Sequence, residues 1–88
     1  MELETNKWID VMGFLYENPI PSLRTVSKTL DITYAHVLKI VMILQDKKLV
    51  ITRKRGRIRE VKLTRKGKEI AVSCKKIVTY TKNAMQTT

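Results

Sequence analysis

Residues 26–50, VSKTLDITYAHVLKIVMILQDKKLV, contain two apolar patterns with helical spacing on either side of a short break. Before the break, Leu23, Val26 and Leu30 are three and four residues apart, which predicts a short helix from Ser22 to about Leu30. After it, Thr33 is a candidate N-cap for a longer helix over residues 34–48. The buried stripe of that helix would consist of Val37, Ile40, Val41 and Leu44. A short helix, a tight turn and a longer helix form a helix-turn-helix.

The periodicity changes from helical to extended in residues 49–64, LVITRKRGRIREVKLT, a run rich in valine, isoleucine and threonine. Gly56 can take the positive φ that a tight two-residue turn needs, so we expect a β-hairpin that turns at Arg55-Gly56. Pairing outward from that turn sets Val50 opposite Val61. Five of the eight side chains in TRKRGRIR, residues 52–59, are positively charged, so the hairpin tip is strongly basic.

Two further helices flank these elements, and both are more apolar than their surroundings explain. The first, over residues 5–18, has apolar residues on two sides and must end before Pro19. The last, over residues 65–85 behind a candidate cap at Thr64, has an apolar stripe with no obvious partner in so short a chain. A symmetric dimer would bury both surfaces; the alternative is a last helix that folds back on the first within one chain. The dimer interface would then contain Trp8, Met12, Leu15, Ile70, Cys74, Ile77, Val78 and Thr81.

The charge of the chain is concentrated in its second half. The 88 residues, enough for one domain over positions 1–88, carry a formal charge of +10. Up to Asp46 there are four basic and six acidic residues, whereas after it there are fourteen basic and two acidic ones. A lopsided basic domain is typical of proteins that bind polyanions; nucleic acid is the commonest partner and an anionic membrane is the competitor.

The remaining composition bears on where the protein acts. The N-terminal stretch MELETNKW is acidic and precedes no continuous apolar segment, so we expect no secretory signal. No apolar run approaches the length of a membrane span, so we expect an intracellular, nucleoid-associated protein without a membrane partner. The single cysteine, Cys74, cannot form an internal disulfide and fits a small packing residue better than a redox sensor.

Two segments resemble a known family. Residues 26–50 are similar to the helix-turn-recognition-helix segment of MarR-like transcription regulators, and VKLTRKGKEIA, residues 61–71, is similar to the family's exit from the wing. The resemblance implies a mainly α fold with a small β-hairpin, namely a winged helix-turn-helix with three helices, a two-stranded wing and a long C-terminal helix. It also implies a homodimeric, sequence-specific regulator of transcription that binds double-stranded DNA. Asp31 and Lys48 depart from the pattern, because they stand where the family often has glycine. The chain is shorter than typical MarR proteins, so we expect no small-molecule effector.

In helix-turn-helix proteins the start of the second helix enters the major groove, where its exposed side chains reach base edges. Lys39 could serve a guanine edge or a phosphate, and Ala35 could contact a thymine methyl. For His36 the alternative is a solvated surface histidine. The outward-facing Met42 and Ile43 are apolar, and we expect them to pack under the first or last helix. The candidate recognition residues are Thr33, Tyr34, Ala35, His36 and Lys39.

The hairpin would contact phosphates or a narrow minor groove, although a solvated charge cluster is the alternative. The candidate wing residues are Arg53, Lys54, Arg55, Arg57 and Arg59, of which the resemblance favours Arg55 and Arg57 at the tip. Further candidate phosphate contacts are Ser22, Arg24, Thr25, Lys28, Arg65 and Lys66.

Three functions remain open from the residues. The first is a sequence-specific DNA-binding regulator, with repression as the commoner mode by analogy. The second is an architectural protein that coats DNA with little preference, and the third is a winged-helix module that contacts another protein. An enzyme is not expected, because the acidic residues are scattered and no glycine-rich phosphate loop occurs. We expect neither a metal, given one histidine and one cysteine, nor any other cofactor.

Overall fold

Four helices and one antiparallel hairpin follow each other in the order helix, helix, helix, strand, strand, helix. The computed structural model describes residues 2–87, and the side chains of residues 7–80. The helices are α1 (Glu2–Glu17), α2 (Leu23–Leu30), α3 (Tyr34–Asp46) and α4 (Arg65–Thr87), and the strands are β1 (Val50–Arg55) and β2 (Ile58–Leu63). The predicted fold class, mainly helical with a two-stranded wing, is confirmed.

The three predicted N-caps close their helices through side-chain oxygens. The Ser22 hydroxyl accepts a hydrogen bond from the Thr25 N–H at 3.1 Å, and the Thr33 hydroxyl accepts one from the His36 N–H at 3.2 Å. At the start of α4, the Thr64 hydroxyl accepts the Gly67 N–H at 3.0 Å. Each hydroxyl satisfies a backbone donor that the first turn of a helix leaves without a partner.

Among the described residues, two that are not glycine adopt left-handed backbone conformations, and they are the two that stand where MarR-like proteins often have glycine. Asp31 has a φ of 57° and caps α2 by donating its N–H to the Ser27 carbonyl. Ser27 also donates its hydroxyl to the Ile32 carbonyl across the turn. Lys48 has a φ of 65° just after α3 and donates its N–H to the Gln45 carbonyl at 2.9 Å. The backbone therefore makes the turns that glycine would favour, at a steric cost.

The predicted register of the wing is wrong by two residues. Val50 lies opposite Leu63 rather than Val61, and Val61 lies opposite Thr52. The turn consists of Gly56 and Arg57, with Gly56 at a φ of 60° as its first central residue. A positive φ at the first central position alone is the pattern of a type II′ turn, which matches the twist of a hairpin. Gly56 is thus the first residue of the turn and not the second, as predicted.

The prediction that the last helix has no partner within the chain is also wrong. α4 packs along α1 of the same chain, so closely that a Cβ added at Gly13 would lie 3.5 Å from the Lys75 Cα. Met12, Leu15 and Cys74 are buried in the single core that this packing helps to form. The fold-back alternative is therefore the observed arrangement. Within residues 2–87, no helix is both long and apolar enough to cross a membrane.

The other predicted dimer residues differ in exposure. Trp8 and Ile70 are half-buried against the core, and Val78 is half-buried on α4. Ile77 is 50% exposed. The side chain of Thr81 lies outside the described residues. The predicted interface is therefore mostly interior surface of one chain, and only the second half of α4 keeps a large apolar residue of the set at the surface.

The start of α4 is docked on the backbone that follows α3. The Thr64 hydroxyl donates to the Lys48 carbonyl at 2.8 Å, and the Thr64 N–H donates to the Leu49 carbonyl at 3.0 Å. Gly67 is buried against the same Leu49 carbonyl. This junction places the base of the wing beside the C-terminal end of α3.

Candidate nucleic-acid interface

Predicted contact residues from three elements surround one open groove of about 400 Å³. Ser22 and Arg24 come from the start of α2, and Tyr34 is the first residue of α3. The tip of the wing supplies the opposite wall. The lining residues are Ser22, Arg24, Tyr34, Arg57, Ile58 and Arg59. The fold thus brings candidate phosphate, recognition and wing residues together, although they lie far apart in sequence.

The path of the wing explains this convergence. Its base is held at the end of α3 by the junction at Thr64, and its tip returns to Tyr34 at the start of α3. α3 has 13 residues, which at 1.5 Å per residue is roughly 20 Å. A strand of six residues at about 3.3 Å per residue spans the same length. The wing is therefore long enough to reach from the end of α3 back to its start.

The alternation of the strands divides the five basic wing residues between two faces. One face of the hairpin carries the pairs Val50–Leu63, Thr52–Val61 and, nearest the tip, Lys54–Arg59. That face is buried at its base and meets the helices, whereas Arg53 and Arg55 lie on the other face, opposite Glu60 and Ile58. Arg57 occupies the turn itself. Of the predicted wing set, Arg57 and Arg59 line the groove.

The groove carries an uncompensated positive charge. Lys54 lies directly opposite Arg59, a like-charge pair that destabilises a hairpin unless an anion lies nearby. Among the described side chains, the wing's one ion pair joins Arg55 to Glu60 at 3.7 Å, on the outer face. Because the Arg55 side chain is 68% exposed, this pair contributes little to stability. The first turns of α2, α3 and α4 contain no acidic residue, so their helix dipoles add to the positive field.

The exposed side of α3, the predicted recognition helix, is polar at its start and apolar further along. Tyr34 is 44% exposed, Ala35 and Lys39 are exposed, and His36 is half-buried. Thr33 is exposed, and its hydroxyl is engaged as the N-cap. The predicted stripe of Val37, Ile40, Val41 and Leu44 is buried. The expectation that Met42 and Ile43 pack under another helix is wrong, since both are exposed.

The remaining backbone candidates are spread more widely. Thr25 and Lys28 are exposed on α2, and the Thr25 hydroxyl lies 3.0 Å from that of Ser22. Arg65 and Lys66 follow Thr64 at the base of the wing, so about the length of a strand, roughly 15–20 Å, separates them from the tip. The structure does not bring these two residues to the groove.

Two residues that sequence patterns did not single out hold the wing in place. Gln45, in the last turn of α3, accepts hydrogen bonds from Thr52, and the Pro21 carbonyl accepts the Val61 N–H. Neither contact follows from periodicity or composition, because each joins segments that only the tertiary fold brings together. No signal in the sequence identifies them.

Comparison with known proteins bears on the fold. No protein-family model matches the sequence, and no curated protein matches it. Among solved structures, the chain is similar to Lactococcus lactis ZitR, a C30AH42A mutant in apo form, with a TM-score of 0.73 and 24% identity over 98% of this chain and 64% of that one. The adhesin competence repressor AdcR of Streptococcus pyogenes has a TM-score of 0.76 and 21% identity over 90% of this chain and 60% of that one. The S. aureus MepR-DNA complex has a TM-score of 0.76 and 18% identity over 93% of this chain and 63% of that one.

These likenesses establish the architecture. The neighbours are winged-helix regulators of the MarR type, so the predicted resemblance is confirmed at the level of the fold. The chain spans 60–64% of the length of these three proteins. It has the winged helix-turn-helix fold, with α2 and α3 as the helix-turn-helix and β1 and β2 as the wing.

Proposed function

We propose that this protein is a transcription regulator that binds double-stranded DNA with sequence preference. The observation that carries the proposal is the groove in which Arg24, Arg57 and Arg59 converge with Tyr34 at the start of the recognition helix. The solved structure of MepR as a DNA complex, with a similar fold, supports the same choice. Nucleic acid is also the partner that the charge of +10 favours.

The groove has the chemistry to hold the sugar-phosphate backbone. Guanidinium groups match phosphate oxygens with paired donors, and the Ser22 and Tyr34 hydroxyls add further donors beside them. One DNA strand would pass between the recognition helix and the wing. The start of α3 would then lie in the major groove and the wing tip on flanking phosphates or in the minor groove.

Sequence preference would come from the first turns of α3. Tyr34, Ala35 and Lys39 are exposed there and His36 is half-buried, as is the apolar Leu38. Lys39 can donate to a guanine edge and Ala35 can contact a thymine methyl. We propose Tyr34, Ala35, His36 and Lys39 as the base-reading set, with Thr33 contributing through its cap.

We further propose that the protein acts in the cell as a homodimer and represses transcription. Ile77 is 50% exposed and Tyr80 is 72% exposed, and they are three residues apart on one side of α4. This surface is smaller than the predicted one and would bring two copies together through the second half of α4. A symmetric dimer would place two recognition helices on half-sites about one helical turn of DNA apart, and a bound dimer would then cover a promoter.

The decisive experiment selects ligands from a randomised duplex pool and measures affinity for the enriched sequence and a scrambled duplex at increasing salt. An enriched inverted repeat, bound roughly a thousandfold more tightly than the scramble, would establish a dimeric sequence-specific regulator. No enriched motif, with equal and steeply salt-dependent binding of both duplexes, would establish an architectural protein instead.

Variants separate the roles within the groove. Arg57→Gln combined with Arg59→Gln should lower the slope of log affinity against log salt by about two, since each phosphate contact contributes about 0.9. Arg53→Gln removes one positive charge from the outer face of the neighbouring strand β1, so it is the control for Arg57→Gln and Arg59→Gln made singly and should change the slope less than either. Equal effects of all three substitutions would mean that only the net charge matters.

A second candidate function is a winged-helix module that contacts protein through α3. The observation in its favour is the exposure of Met42 and Ile43, at 37% and 49%, on the outward side of that helix. This candidate moves ahead of DNA binding if the Arg57→Gln and Arg59→Gln double substitution leaves duplex affinity unchanged.

A further inference from the structure

One cross-strand pair of the wing, here called the rung, is hydrogen-bonded at both of its outer edges to the helix-turn-helix. Thr52 and Val61 lie directly opposite each other in the hairpin. The Thr52 N–H points away from β2 and donates to the Gln45 side-chain oxygen at 2.9 Å. On the other edge, the Val61 N–H points away from β1 and donates to the Pro21 carbonyl at 3.1 Å. The outward N–H groups of one cross-strand pair are thus both taken by the segments that carry α2 and α3.

The Gln45 contact is specific in its chemistry. The Gln45 Oε1 atom accepts both the Thr52 N–H and the Thr52 hydroxyl, the latter at 2.8 Å. A backbone N–H needs an acceptor, so the carbamoyl oxygen and not its nitrogen must face Thr52. Gln45 is half-buried in the last turn of α3. The side chain therefore joins the recognition helix to the edge of β1 at a defined point.

The outer edge of β2 is joined directly to the residues before α2. Beside the Val61 contact, Ser22 and Glu60 form a one-residue antiparallel bridge. Ser22 is also the N-cap of α2 and a wall of the groove. The wing is consequently fixed to α2 through β2 and to α3 through β1.

Distal to this rung the tip carries all five basic candidate residues of the wing. From Thr52 to Arg55 the tip extends three residues, about 10 Å at 3.3 Å per residue. Because the tip is a lever beyond a held rung, a small rotation there changes the separation between Arg57 and Tyr34 across the groove. The width of the groove thus depends on the rung.

We propose that Gln45 is a positioning residue which, with the Pro21 carbonyl, holds the wing at the distance from α3 at which both engage one duplex. The inference rests on the proposed DNA binding. Gln45 is not assigned any contact with DNA. Its role is to order the wing before binding, so that the free energy of ordering is not subtracted from the affinity.

The test replaces Gln45 and measures two properties. Gln45→Met keeps the length and helix preference of the side chain but removes the acceptor, whereas Gln45→Glu keeps an acceptor oxygen at the same place. Amide hydrogen exchange of residues 50–63 is measured in the free protein, and affinity for the selected duplex is measured at several salt concentrations. Circular dichroism ensures that the comparison is made where all variants are fully folded.

In Gln45→Met the loss of two hydrogen bonds should raise exchange at Thr52 about 25-fold, since each bond contributes roughly a factor of five to local closure. Duplex affinity should fall several-fold with an unchanged salt slope, because the wing still reaches the same phosphates once it is ordered. Gln45→Glu should restore the slow exchange. Thr52→Val, which removes only the hydroxyl bond, should give an intermediate effect on both properties.

Three results would overturn the proposal. Unchanged exchange in Gln45→Met would mean that the rung does not hold the wing. Faster exchange with unchanged affinity would mean that DNA binding does not depend on wing position. A reduced salt slope would make Gln45 a contact residue. Failure of the wild-type protein to bind any duplex would instead refute the proposed function, while the exchange data would still report on the rung.

Discussion

Gly67 tests how closely α4 is docked on the backbone that follows α3. A Cβ added there would lie 1.9 Å from the Leu49 carbonyl oxygen and 2.9 Å from its carbonyl carbon. Real Cβ atoms essentially never approach within 3.0 Å, so Gly67→Ala must separate the two backbones by about 1 Å. Backbone atoms cannot rotate aside as a side-chain end can. We therefore expect the whole first turn of α4 to shift.

The expected cost follows from what that shift disturbs. Overpacking of this kind costs about 1–3 kcal/mol. The Thr64 hydrogen bonds to the Lys48 and Leu49 carbonyls, at 2.8 and 3.0 Å, would also lengthen. Each contributes about 0.5–1.5 kcal/mol, against a gain of about 1 kcal/mol from alanine in a helix. The net loss is about 2–3 kcal/mol, which lowers Tm by roughly 10–20 °C in a domain of this size.

The assay is thermal unfolding followed by circular dichroism, with Gly13→Ala as the matched control. A Cβ at Gly13 would meet its nearest neighbours at 3.5–3.7 Å, which is ordinary contact, and Gly13 lies within α1. The control should therefore keep Tm or raise it by a few degrees through helix preference. If Gly67→Ala unfolded at the same temperature as the wild type, the close approach of Gly67 to Leu49 would be refuted.

Three further predictions concern single residues. Lys48→Gly should raise Tm by roughly 4–8 °C, because glycine adopts a φ of 65° without the steric cost of about 1 kcal/mol that a side chain incurs. A lower Tm in thermal unfolding would contradict this. Asp31→Gly at a φ of 57° should have the same sign and a smaller size, since aspartate tolerates this region better than lysine; equal or opposite changes in Tm would contradict it. Burial raises the pKa of the Cys74 thiol, so less reactive thiolate is present at pH 8 than for a free cysteine, and alkylation followed by mass spectrometry should be slow until urea unfolds the chain.

The sequence predicts the helices, their caps and the existence of the wing because these features depend on local chemistry. A hydroxyl before an apolar stripe determines where α2, α3 and α4 begin, and the structure confirms Ser22, Thr33 and Thr64 in that role. The wing register depends on which two residues form the turn. Moving the turn by one residue changes each cross-strand pair by two residues, so every side chain stays on the same face and the apolar pattern cannot distinguish the two hairpins. The position of Gly56 within the turn distinguishes them, through its φ of 60°.

An apolar stripe in a sequence does not indicate which surface covers it. Burial stabilises a surface whether the covering atoms belong to the same chain or another, because the hydrophobic effect has no direction. The sequence therefore indicates that Met12 and Leu15 on α1 and Cys74 on α4 are buried, but it does not indicate which surface covers them. The Gln45 contact with Thr52 was beyond prediction for a related reason, since a single polar contact leaves no periodic trace.

The charge at the helix starts relates stability to the proposed function. Acidic residues in a first turn stabilise a helix by about 0.3–1 kcal/mol, and aspartate caps as well as serine does. α2, α3 and α4 nevertheless have hydroxyl caps and no acid in their first turns, and α4 begins with Arg65 and Lys66. For α2 and α3 an acid would stand beside the groove and repel a phosphate. α4 begins far from the groove, so direct contact does not explain its basic start. Screening limits such a field to roughly 8–10 Å in physiological salt, so Arg65 and Lys66 act on a different part of an approaching polyanion than the groove does.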